Sequence, residues 1–99
     1  MIIVSNISYP TESVQEMAKR FMEAPQVPGF MKRKGPYINS SMEQGITTLS
    51  IYELDKSKLG DGYEFLGNYM TTFFGIPGFK YEFKASFEIQ EALKMIGMG

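Results

Sequence analysis

The chain has 99 residues, 43% of them hydrophobic and 21% charged, with a formal net charge of -1 and neither histidine nor cysteine. That length supplies one hydrophobic core and is too short for two, and the near-neutral charge argues against disorder and against a nucleic-acid footprint. Disulfides and thiolate chemistry are excluded, and the commonest metal ligand and general base are missing, so no metal or cofactor is expected.

The opening Met1-Ile2-Ile3-Val4 shows no basic leader, and no apolar run is long enough to span a bilayer. A cytoplasmic domain without membrane or nucleic-acid partners is expected. Ile2 to Tyr9 begins with three consecutive β-branched residues, which predicts a strand inside a sheet. Pro10 stops it, and Thr11 is placed to cap a helix with apolar positions Val14, Met17, Ala18, Phe21 and Met22, spaced to share one face. Pro25 and Pro28 end that helix near Ala24.

Phe30 to Ser40 predicts a second strand. Its Lys32-Arg33-Lys34 run and internal Pro36 place it at a sheet edge, because proline cannot donate to a ladder and lysines discourage further pairing. The basic run has a second reading, as a holder of phosphate or carboxylate. Gly45 to Leu54, rich in branched and aromatic residues, predicts a central strand. Asp55 or Ser57 would cap the next helix, whose apolar stripe is Leu59, Tyr63, Leu66, Tyr69, Met70, Phe73 and Phe74. Gly60, Gly62 and Gly67 weaken it by up to about 1 kcal/mol each relative to alanine. Phe79 to Phe87 alternates, with Phe79, Tyr81, Phe83, Ala85 and Phe87 on one face and Lys80, Glu82, Lys84 and Ser86 on the other. A short helix over residues 88–97 closes a single domain whose core is residues 2–87.

Val27-Pro28-Gly29-Phe30 and Ile76-Pro77-Gly78-Phe79 are nearly the same tetrapeptide, each between a helix and a strand. The order βαββαβ is a doubled split βαβ unit, so the fold class is α+β and ferredoxin-like: a four-stranded antiparallel sheet with two helices on one face. The first and third strands are then central and the second and fourth are edges. With its Pro28-Gly29-Phe30 turn, its length and this element order, the chain resembles the dimeric α+β barrel superfamily, including the antibiotic-biosynthesis monooxygenase type. The resemblance implies a homodimer with two sheets face to face, and a small-molecule site between sheet and helices or near the dimer interface. Its haem-dependent branches use a histidine that this chain lacks.

If the aromatic face of the last strand and the Leu49/Ile51 face of the third both cover the helices, then Thr48, Ser50, Tyr52, Lys80, Glu82 and Lys84 share the opposite face. There they form either cross-strand ion pairs on an edge or a site for a small anionic or carbonyl-bearing compound, with Lys80 or Lys84 pairing the negative group and Tyr52 donating a hydrogen bond. Asn6 is either a structural amide or, as the resemblance implies, a group that holds substrate. The methionines are core fillers or shapers of an apolar cavity. Two functions follow: a small homodimer that binds a small organic ligand without catalysis, or a cofactor-independent monooxygenase or isomerase. The second requires an enclosed cavity lined by aromatics such as Tyr63, Tyr69, Phe73 or Tyr81, together with Asn6.

Overall fold

The computed structural model describes residues 1–98. In chain order the elements are β1 (Ile2–Tyr9), α1 (Val14–Glu23), β2 (Met31–Ser41), β3 (Gly45–Leu54), α2 (Leu59–Thr71), β4 (Lys80–Ser86) and α3 (Ile89–Met95), with single 3-10 turns leading into α1 and α2. The four strands form one antiparallel sheet in the order β2-β3-β1-β4. The branched strands β1 and β3 are therefore central, and β2, with its lysines and Pro36, is an edge. The ladder between β2 and β3 shifts register between Lys34 and Tyr37, around that proline, as expected where a ladder donor is missing. The architecture is α+β, compatible with a ferredoxin-like arrangement.

The core lies between one face of the sheet and the helices. One cluster gathers Ile7, Met17, Tyr69, Met70, Phe73 and Ile76, and a second gathers Ile3, Met31, Tyr52, Leu54 and Leu66. The aromatic face of β4 and the residue before it join them: Phe79 and Phe83 pack against the clusters, and the rings of Phe73, Phe79, Tyr81 and Phe83 succeed one another at centroid distances of 5.6, 5.5 and 6.2 Å.

The register corrects the expected faces of β3. Ile3 pairs with Tyr52, Ser5 with Ser50 and Ile7 with Thr48. The same β1 residues pair with Ala85, Phe83 and Tyr81 of β4. Thr48, Ser50 and Tyr52 therefore lie on the helix side, and Leu49 and Ile51 lie on the outer side with Asn6, Lys80, Glu82 and Lys84. Alternation in β3 is apolar on both faces, and a slip of one residue exchanges them. The pairing with β1 decides between the two.

The two Pro-Gly turns also differ in space. The Phe79 N–H donates to the Ile76 carbonyl at 3.1 Å, whereas in the first turn the donor is Met31 and the acceptor Pro28. Gly78 has φ +76° and lies so close to Pro10 that a Cβ there would collide with the proline ring. The Ser13 hydroxyl, rather than capping α1, donates to the Pro77 carbonyl at 2.7 Å. The second turn is thus tied to the start of α1. Arg20 of α1 pairs with Glu16 and donates to the Thr72 carbonyl, both at 2.9 Å, which anchors the other end of α1 beyond the end of α2.

At α3 the Glu88 and Glu91 side chains complete a capping box, and the Met1 ammonium pairs with Glu91 at 3.3 Å. No helix among the described residues is long and apolar enough to cross a membrane.

The glycines of α2 are not equivalent. A methyl on Gly67 would meet nothing within 4 Å, whereas one on Gly62 would press on the Leu54 and Ile3 side chains. Gly67→Ala should stabilise the domain by about 0.5–1 kcal/mol. Gly62→Ala should forfeit that gain by displacing Leu54 and Ile3. Chemical denaturation of the two variants checks this, and equal stability would contradict the close packing at Gly62.

Candidate functional site

Between the sheet and α1 lies a cavity of about 430 Å³. Its floor is laid by Ser5, Ile7 and Tyr9 of β1 and by Thr48, Ser50 and Tyr52 of β3; Met17, Ala18, Phe21 and Met22 of α1 form one wall, and Tyr69 of α2 with Phe73 just beyond its end the other. Pro36 and Ile38 of β2 close the edge. The space exists because the central floor positions are small. Ser5 and Ser50 face each other across the β1–β3 ladder, with Thr48 two residues before Ser50, so the middle of the floor stays low, while Ile7 at its border packs in one cluster with Met17 of α1. The helix is held at its distance by Arg20 and Ser13, and it contributes only Met17 to the buried core. Its outer residues leave an apolar mouth: Phe21 is 43% exposed, Met22 85%, and Ile38 opposite them 66%.

The electrostatics are those of a dry pocket with hydroxyl donors. Burial pushes the Tyr69 phenol up to about 12 and raises that of Tyr52 as well, and in both the Arg33 guanidinium works in the opposite direction. Both tyrosines are therefore neutral hydrogen-bond donors at ordinary pH. Ser5, at 3% exposure, and Ser50, at 7%, add two hydroxyls. No fully buried side-chain polar atom among the described residues lacks a partner. Among the described residues the lining contains no carboxylate and no lysine. No group of three or more carboxylates able to hold a metal ion comes together among the described residues.

The eight residues singled out from sequence divide between the two sides of the sheet. Thr48, Ser50, Tyr52 and Tyr69 come together in the cavity. Asn6, Lys80 and Glu82 border a wide, open depression on the outer side, near the β2–β3 turn at Ser41–Gly45, and Lys84 pairs along its own strand with Glu82 at 3.4 Å. Tyr52 and the lysines therefore cannot act on one small ligand. Of the four aromatics expected around a cavity, Tyr69 and Phe73 line it, whereas the Tyr63 hydroxyl accepts from the Ala85 N–H at 2.9 Å and Tyr81 stacks between Phe79 and Phe83. Met17 and Met22 take the cavity-shaping role open to the methionines. Sequence reasoning missed the contribution of Pro36 and Ile38, whose signal was obscured by the irregular edge strand that carries them.

Compared with known proteins, the chain matches no family model, no curated protein and no solved structure.

The two buried phenols make stability sensitive to alkali. Unfolded Tyr69 ionises near 10, whereas the folded chain keeps its proton until about 12. Between those values the unfolded chain holds fewer protons, so stability falls as pH rises; below 10 both states are neutral and no dependence arises from this group. Denaturant midpoints measured between pH 9 and pH 12 should decline, and Tyr69→Phe should flatten the decline. An unchanged slope in that variant would contradict the burial of the phenol.

Proposed function

We propose that this domain binds a small, largely apolar organic molecule in the cavity beneath α1. The observation that supports it is the combination of volume and lining: about 430 Å³ is within the usual range for small-molecule sites, and apolar walls with a few convergent hydroxyls are their usual chemistry. The reading favours binding over catalysis. Proton abstraction, as a cofactor-independent monooxygenase or isomerase would need, requires a base near neutral pKa, and the lining offers only hydroxyls. Asn6, the amide that such an enzyme would use, lies across the sheet from this space.

The probe 2-naphthylmethanol, neutral and apolar, should bind with one molecule per chain in isothermal titration. Ala18→Phe, an exposed position on the cavity wall, should fill the mouth and weaken binding at least about tenfold, a loss of about 1.4 kcal/mol, while the fold persists. Absence of binding to the unmodified chain would remove this reading.

The ferredoxin-like barrel extends the proposal to a homodimer. On the sheet face opposite α1 and α2, Val4 pairs with Ile51 beside Leu49, all partly exposed. Lys34 and Glu53, 2.6 Å apart, flank this apolar strip on one side and Glu82 and Lys84 on the other. A second copy related by a twofold axis would meet both signs of charge with its own. Light scattering on a sizing column should give twice the chain mass, and Ile51→Lys should give the single mass. A monomeric unmodified protein at micromolar concentration would exclude the barrel.

A further inference from the structure

Arg33 is a partly buried cation that the ligand-binding reading leaves unused. It pairs with Tyr52 across the β2–β3 ladder, on the cavity side of the sheet. Its guanidinium carbon lies 5.9 Å from the centroid of the Phe21 ring, part of the cavity wall, and its charge acts on both Tyr52 and Tyr69. Among the described residues it has no carboxylate within ion-pair distance. Arg20, Lys34, Lys58, Lys84 and the amino terminus each have one, and the remaining lysines are exposed to water. The phenols of Tyr52 and Tyr69 beside Arg33 are neutral partners, and a partly desolvated guanidinium is stabilised further by an anion it can hydrogen-bond.

We infer that the ligand of this cavity is an aromatic or similarly compact organic carboxylate, its apolar body under α1 and its carboxylate held by Arg33 with the hydroxyls of Tyr52 and Tyr69. The inference rests on the ligand-binding reading above and adds the charge and orientation of the ligand. A planar guanidinium matches a carboxylate with two parallel N–H donors, and charge-assisted bonds of this kind are roughly twice as strong as neutral ones. A single cation suits a monoanion better than a phosphate dianion. The two neutral phenols would complete the anion's coordination without adding like charge, and Phe21 of the cavity wall attracts the guanidinium beside it by a cation–π contact.

Two probes of nearly equal shape separate this inference from the reading it rests on: 2-naphthoate and 2-naphthylmethanol, titrated at neutral pH into the unmodified chain and into Arg33→Gln. The unmodified chain should bind the carboxylate at least about tenfold more tightly than the alcohol. In Arg33→Gln, whose side chain is not part of either core cluster, that preference should vanish while alcohol binding remains. Equal affinities in the unmodified chain, or a preference that survives in Arg33→Gln, would overturn the carboxylate inference and leave the apolar cavity as a binding site. Binding of neither probe would overturn both.

Discussion

The backbone ladder between β1 and β3 sets the chemistry of this molecule. By placing Ser5 opposite Ser50 and Ile3 opposite Tyr52, it puts a band of small hydroxyl residues and one tyrosine beneath the helices, where a uniformly packed domain would have branched apolar side chains. Interiors are ordinarily filled to crystal-like density. A floor of serines under a helix that cannot descend is therefore a departure with a consequence, an apolar-walled space with polar groups at its base.

The helix cannot descend because both its ends are fastened elsewhere. Ser13 holds the first turn to the Pro77 carbonyl, and Arg20 holds the last to the Thr72 carbonyl. Both acceptors belong to the segment between α2 and β4. That segment is shaped by the second Pro-Gly turn, where Gly78 passes against Pro10. The near-duplicate turns thus have different work: the second locks α1 in place, and the first delivers the chain into the edge strand whose Pro36 and Ile38 line the cavity and whose Arg33 lies beside Phe21 of its wall.

The outer sheet face has a different character. Lys34 and Glu53 hold each other charged, raising the lysine and lowering the glutamate from their ordinary values, but both are exposed and such pairs contribute little to stability. Their value lies in specificity: mixed charges around a short apolar strip disfavour arbitrary edge and face contacts while allowing a self-complementary one.

The sequence by itself determined the elements, their order and their layering, because those follow from local physics. Period-two alternation marked β4, proline and lysine marked β2 as an edge, helical spacing marked α1 and α2, and the missing histidine and cysteine limited the chemistry. Thr48, Ser50, Tyr52 and Tyr69, four of the eight residues singled out from sequence, do share one space, although the first three were expected on the opposite face. What only the tertiary structure decided was which side of the sheet each polar residue occupies. In β3 the Leu49/Ile51 set and the Tyr52/Leu54 set are both apolar enough to face a core, and no local preference separates them. Pairing with Ile3 and Ile7 of β1 does, by burying Tyr52 and leaving Ile51 partly exposed. Pairing of β4 with β1 put Lys80, Glu82 and Lys84 on the outer face with Asn6, and pairing of β2 with β3 set Arg33 opposite Tyr52 and beside Phe21 of the cavity wall.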